Sequence, residues 1–380
     1  MADTDVHQGV HPFPWHLGVF DAHCHPTDTV VSLEKISSMK TKALTIMATR
    51  RQDQHLVFDF AEQLGLVDDA ERDRFLVPAF GWHPWFSYQI VDDLGSPLGG
   101  RPTRDAHYKQ VIVPSPEDKE FLASLPEPRS LSQILQESRA YLQQFPLALV
   151  GEIGLDRTFR IPQTGNLDAK HGSDPALTSG GRGGRRLSQY RVDMDHQRSV
   201  LTAQLRLAGE LQRAVSIHGV AAHGVVYETI AATWRGHEKK ISSKRERKKA
   251  IQINPAGDEE SDAFIASQAK PYPPRICLHS YSGGADTLKH YLQPSIPATV
   301  FFSFSTLVNF SSPSRKATDA IKAVPDDRIL AESDLHAAGE RMDELMEDVI
   351  RRICQIKGWS LESGVKQLAS NWRHFIFNSI

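Results

Sequence analysis

The chain has 380 residues, 40% hydrophobic and 24% charged, with a formal net charge of −2, so it can bury a large core and presents no global field that would draw in nucleic acid or an anionic membrane. Its three cysteines, Cys24, Cys277 and Cys354, are odd in number and widely spaced, which argues against a disulfide framework and for a reducing, cytoplasmic or nuclear compartment. Neither a signal peptide nor an apolar run long enough for a bilayer is visible, so no membrane partner is expected.

Residues 1–18 are polar and aperiodic and read as a tail into the first strand. Val19-Phe20-Asp21 then reads as a short buried strand that closes in Ala22-His23-Cys24-His25. Residues two apart in an extended chain share a face, so His23 and His25 can reach one metal ion while Cys24 packs on the other side. Helical spacing follows over 31–39 and a strand-like run over 43–49. A helix is expected over 53–66, with Phe58, Ala61 and Leu64 on its apolar face. A strand over 75–80 ends in Gly81-Trp82-His83-Pro84. Residues 86–129 are rich in Pro, Gly and Asp and too long for an ordinary connection, and they read as an insertion with little regular structure. A helix over 131–145 leads to an apolar run at 147–150 and to Gly151-Glu152-Ile153-Gly154-Leu155-Asp156, a strand ending in carboxylates.

A second insertion, 157–186, carries a Gly/Arg-rich stretch at 179–186 that should be flexible. A long helix is expected over 187–213, then a strand over 214–217 ending in His218, and a helix from about Ala221. The third insertion, 235–274, contains a basic run at 239–249. The strand 275–278 ends in His279-Ser280-Tyr281-Ser282-Gly283-Gly284, a β-branched and aromatic run covers 298–305, and 328–331 ends in Glu332-Ser333-Asp334. Helices fit over 285–292, 313–324 and 339–357. Eight strand-then-helix units predict an α/β fold of the (β/α)8 TIM-barrel type, one domain over 1–380 with three insertions. A doubly wound open sheet is the alternative, but no Gly-rich phosphate fingerprint follows the first strand. In a barrel, active sites lie at the carboxyl ends of the strands. His23, His25, Glu152, His218, His279 and Asp334 all fall there, and imidazole with carboxylate suits Zn2+, Mn2+ or Fe2+ and accepts Mg2+.

Together, Asp21-Ala22-His23-Cys24-His25, Gly81-Trp82-His83-Pro84, Gly151-Glu152-Ile153-Gly154-Leu155-Asp156, His218, His279-Ser280-Tyr281-Ser282-Gly283 and Glu332-Ser333-Asp334 resemble the TatD family of metal-dependent hydrolases and deoxyribonucleases. Asn371, Phe375 and Phe377 are similar to the family's closing helix, and the insertions with the basic run suggest a fungal-type branch. The resemblance implies two divalent metal ions: His23, His25, Glu152 and Asp334 around one, and Glu152, His218 and His279 around the other, with Glu152 bridging. It further implies Asp334 as the base toward the attacking water, and DNA as substrate. Two departures bear on the substrate: the family commonly has Arg at the position of Val220, and a small residue and Pro at Leu335-His336.

Around this set, His83 is a candidate substrate contact, and Asp21, Asp156 and Glu332 are candidate carboxylates that hold the ligands from behind. His223 and His336 read as structural or solvated. The basic run falls between a helix and a strand, hence on the face opposite the mouth. Arg157, Arg182, Arg185 and Arg186 lie in a strand-to-helix connection and could offer cations to phosphate. A hydrolase of an amide, ester or lactone, or a non-catalytic interaction protein with a protein partner on the insertions, are the competing readings. Six convergent His and carboxylate groups have no structural purpose in a folded barrel, which favours an enzyme.

Overall fold

A computed structural model describes residues 12–64, 75–95, 102–163, 178, 186–241 and 269–377. Eight parallel strands form the centre: β1 (Phe20–Cys24), β2 (Ala43–Met47), β3 (Phe75–Ala79), β4 (Val150–Asp156), β5 (Val215–Val220), β6 (Arg275–Leu278), β7 (Thr299–Phe304) and β8 (Ile329–Ala331). They pair in two arcs, β1-β2-β3 and β4-β5-β6-β7-β8. One seam between the arcs is hydrogen-bonded, with Leu149 N donating to Pro78 O and Phe80 N to Leu149 O, both at 3.0 Å. At the other seam β8 is only three residues long and β1 carries a bulge between Asp21 and Cys24. Among the described residues no ladder joins β8 to β1; instead Asp334 N donates to His23 O (3.0 Å) and Ser333 N to the Asp21 carboxylate (3.0 Å). The expected (β/α)8 fold is present, with its ladder interrupted there.

Alternation along the strands separates two cores. Ile276 and Leu278, Val215 and Ile217, and Val300, Phe302 and Phe304 pack outward against the helices. Cys277, Ala214, Phe301 and Leu330 pack inward with Phe20, Ala22, Met47 and Val77. Continuing the inward parity toward the carboxyl ends of the strands reaches Ser216 and His218, His279, and Glu332 and Asp334. The outer layer includes α1 (Arg51–Leu64), α2 (Leu131–Gln144), α3 (Met194–Glu210), α4 (His223–Trp234), α5 (Ala285–Tyr291), α6 (Lys316–Ala323) and α7 (Glu340–Lys357). The last helix, α8 (Leu361–Phe377), closes the foot of the barrel. Its Trp372, Phe375 and Ile376 enter the inner core, and Asn371 Nδ2 donates to the carbonyls of Asp326 (2.7 Å) and Ile329 (2.8 Å).

Several expectations are corrected. Residues 86–129 are not structureless: they hold helices Arg104–Val111 and Lys119–Ser124, and Ile90–Val91 pairs with Arg129–Ser130. Their aromatic and aliphatic residues explain this, because Tyr88, Tyr108, Ile112 and Phe121 bury together with Ile161 of the second insertion and with Tyr190 and Val192 just after it. The helix expected over 187–213 starts only at Met194, capped by Asp193, whose carboxylate accepts from His196 N (3.0 Å). Before it, Arg191–Val192 pairs antiparallel with Ile112–Val113. The 31–39 segment is a 3-10 helix, Val30–Ser38, because the hydroxyls of Ser32, Ser37 and Ser38 bond carbonyls three residues back and compete with the α-helical pattern. Lys239, Lys240 and Ile241 of the basic run are exposed, and 242–249, like the 179–185 stretch, lies outside the described residues. No helix among the described residues is long and apolar enough to cross a membrane.

Trp372 is fully buried, packs at a tilt against the rings of Phe20 and Phe75, and donates to Thr45 Oγ1 (3.1 Å). Trp372→Ala should therefore destabilise the fold by about 3–5 kcal/mol, read as a lowered urea midpoint.

Candidate metal centre

Glu152 is the meeting point of the site. It is 3% exposed, and its two oxygens face different groups. Oε1 lies 2.7 Å from His279 Nε2, 3.0 Å from His218 Nδ1 and 3.1 Å from His83 Nε2. Oε2 lies 3.3 Å from His25 Nε2 and 3.7 Å from His23 Nε2. Asp334 Oδ1 closes the second group, 3.7 Å from His25 Nε2 and 3.9 Å from His23 Nε2. The rings of His23 and His279 stack at 3.8 Å, which joins the two groups into one cluster.

The backbone that delivers these side chains is tightly constrained. Gly154 has φ +153°, and a Cβ there would sit 2.1 Å from the His218 carbonyl oxygen. A Cβ on Gly81 would meet the Gly151 backbone at 2.9 Å. Only glycine allows β3, β4 and β5 to approach this closely beside Glu152. Asp334 has φ +52°, and this turn aims its carboxylate back over β1.

The far nitrogen of each ring decides what the near one can do. His218 Nε2 is 3.2 Å from Asp156 Oδ2 and its Nδ1 is 3.0 Å from Glu152 Oε1, so the ring is held between two carboxylates with Nδ1 on the inward side. His279 Nδ1 turns toward Glu332 (3.7 Å), which leaves its Nε2 inward, 3.3 Å from His218 Nδ1. His23 Nδ1 meets Ser216 Oγ (2.8 Å), and its Nε2 is 3.0 Å from His25 Nε2. Pairs of imidazole nitrogens at 3.0–3.3 Å beside a carboxylate bring together the donor types that a divalent cation takes up. The donor set fits a metal. Three groups, His23/His25/Glu152, His23/His279/Asp334 and His83/Glu152/His218, each bring their ligand atoms within 4.8 Å of one another. His83 is the exception by tautomer: its Nδ1 accepts from Trp85 N (3.2 Å), so its Nε2 proton points at Glu152 and the ring donates to that carboxylate.

Burial pushes the Glu152 carboxyl up, but the His83 and His279 rings outweigh this and hold it well below its ordinary range. Burial takes His25 well below the usual imidazole value and His83 down to about 4. Asp334 is raised, chiefly by burial and against the lowering pull of His279 and His23, and a divalent ion beside it would act in the same direction as those rings.

The carboxylates expected behind the ligands are placed as follows. Asp156 bonds His218, Trp85 Nε1 (2.7 Å) and Thr158 N (2.7 Å). Asp21 Oδ1 accepts from His23 N (3.1 Å) and Ser333 N, tying β1 to the end of β8. Glu332 accepts from Ser280 N and Oγ (both 2.6 Å) and from Ser303 Oγ. Arg157 and Arg186 are exposed, and no hydrogen bond joins them to the cluster among the described residues; Arg182 and Arg185 lie outside those residues. Cys24 is packed, its Sγ 3.5 Å from Thr45 O. His223 meets Ser282 Oγ at 3.3 Å. Sequence reading missed Ser216, although it precedes His218 by two and shares its inward face. It also missed the Asp28–Arg50 pair near His25 (2.7 Å), which no local pattern announces.

A family model described as TatD-related DNase matches residues 20–377. The Cut9-interacting protein scn1 of Schizosaccharomyces pombe is 37% identical over 94% of this chain and 98% of its own length. An uncharacterized deoxyribonuclease of Saccharomyces cerevisiae is 26% identical over 83% of this chain and 82% of its own. Among solved structures, a TatD homologue from Escherichia coli aligns with a TM-score of 0.50 and 16% identity, over 95% of this chain and 98% of that one. A TatD family hydrolase from Entamoeba histolytica aligns at 0.51 and 13%, over 95% and 99%.

A cation that binds only the folded chain stabilises it by mass action, about 2.7 kcal/mol at a hundred times Kd. Adding Zn2+ or Mn2+ to chelator-stripped protein should raise Tm by several degrees in calorimetry. Glu152→Ala should remove more of that rise than His218→Ala, because it takes an oxygen from both groups. An undiminished rise in Glu152→Ala refutes its shared position.

Proposed function

The chain belongs to the family of TatD-related DNases, metal-dependent hydrolases, and from that premise we propose that it hydrolyses phosphodiester bonds of DNA, in an exonuclease-like manner, with two divalent metal ions. The observation that carries this reading is the two-sided environment of Glu152, one oxygen toward His23 and His25 and the other toward His218 and His279. His23, His25, Glu152 and Asp334 would hold one ion, and Glu152, His218 and His279 the other, Zn2+, Mg2+ or Mn2+ being compatible with the donors. When bound, such ions supply Lewis acidity and lower the pKa of water. The chain's own residues do the rest. His83 and the far partners of the rings, Asp156, Glu332 and Ser216, hold the ligands in one tautomer and orientation. Asp334, fixed by Ser280 Oγ (3.1 Å) and 16% exposed in its side chain, takes the proton of the attacking water at Oδ1, the oxygen facing His23 and His25.

A protein partner belongs to the same reading. The fission yeast relative is named for interacting with Cut9, and a protein partner of this chain would bind through the insertions.

Elemental analysis followed by turnover on single-stranded DNA and on small carboxylic esters tests the reading; much faster ester than oligonucleotide cleavage would move the assignment to an esterase. Asp334→Asn should lower kcat by about 10²–10⁴-fold with a far smaller change in KM, in steady-state assays with the metals confirmed in place. DNA binding should weaken steeply with salt, and neutralising Arg182, Arg185 and Arg186 together should flatten the slope of log K against log[salt]. An unchanged slope removes those arginines from the substrate path.

A further inference from the structure

His336 follows Asp334 by two residues and sits at the rim of the cluster, where its ring is fixed on two sides. Its Nδ1 is 2.8 Å from Asp28 Oδ2. The other Asp28 oxygen accepts from Arg50 Nη1 at 2.7 Å, and Arg50 is itself 3% exposed and bonded to Asp53 and Thr49. Thr178 locks the same corner: its N donates to Asp28 O (2.9 Å), its hydroxyl bonds Thr27 O, and its carbonyl accepts from Arg50 Nη2 (3.2 Å). One face of the His336 ring stacks on His25, with centroids 5.3 Å apart and planes at 24°. The rings of His23, His25, His83 and His279 are at most 5% exposed, whereas the His336 side chain is 63% exposed. It is thus a planar ring, immobilised at one edge, seated on a candidate ligand and open to solvent.

We infer that His336 is a stacking platform for a nucleobase of the substrate, placed so that the phosphate next to that base lies over His25 and Asp334. This rests on the phosphodiesterase reading above and adds to it a specificity-determining residue: the base must be unpaired to lie on the ring, so the preferred substrate is a single strand or a frayed end. Stacking on aromatic side chains, His among them, is sequence-tolerant because every base has a π-face. The Asp28–Arg50–Thr178 lock removes the rotamer freedom that an exposed histidine would lose on binding.

Two p-nitrophenyl phosphodiesters that differ in one part test this: a thymidine ester, which carries a base, and the methyl ester, which does not. With metal content and Tm verified, His336→Ala should raise KM for the thymidine ester by about 5- to 100-fold with kcat little changed, and leave the methyl ester unaffected. His336→Phe, which keeps the ring but loses the Asp28 bond, should raise that KM far less than His336→Ala does, while His336→Asn should resemble His336→Ala. A Phe variant as impaired as Ala, or equal losses on both esters, or a loss confined to kcat, overturns the platform. Failure of the wild-type, metal-loaded chain to cleave either diester defeats the parent reading instead, which keeps the two failures apart.

Discussion

The structure depends on one buried carboxylate that is surrounded by imidazoles. Glu152 could not be ionised in this interior alone, because burial works against its charge. The surrounding rings reverse that penalty, and in doing so they draw the ends of β1, β4, β5 and β6 to one point. The close glycine contacts at Gly81 and Gly154 follow from the same demand: a side chain on either would push apart the strands that carry the converging groups.

Preorganisation is then a matter of the second tier of contacts. The inward-facing nitrogens of His23 and His218 owe their direction to hydrogen-bonded partners on the outward side, Ser216 and Asp156, and the His279 ring turns its Nδ1 toward Glu332 at 3.7 Å. Those partners are themselves held, Asp156 by Trp85 and the backbone of Thr158, Glu332 by Ser280 and Ser303. A cluster held this way changes little when charge arrives, which is what electrostatic catalysis requires. The mouth above it is built differently. Segments added to the barrel reach it: Phe159 stacks on Trp85, which bonds Asp156, and Thr178 bonds Thr27 and Arg50.

Much of the fold was legible because hydrophobic runs and their spacing report local burial directly. All eight barrel strands lie within a few residues of the apolar runs that predict them, and the helices that follow them were found wherever an apolar face repeated. The failures share a cause. The segment 86–129 looks like loop because its Pro, Gly and Asp dominate a short window, while the aromatics that order it, Tyr88, Tyr108 and Phe121, find their partners Ile161 and Tyr190 far along the chain. The start of α3 moved for the same reason: the 187–192 stretch is amphipathic enough for helix but is claimed by the strand Ile112–Val113.

The sequence by itself determined the strand ends, and therefore the set of histidines and carboxylates presented at one face, because parity along a strand is a local property and the topology of repeated strand–helix units leaves one mouth. Only the tertiary structure decided which oxygen of Glu152 meets which ring, that His83 donates to it, and that His336 is fixed by an aspartate 308 positions away in the chain. These are distances of a few ångströms between residues whose sequence separation carries no signal, and they are settled by how the strands and loops that carry them pack together.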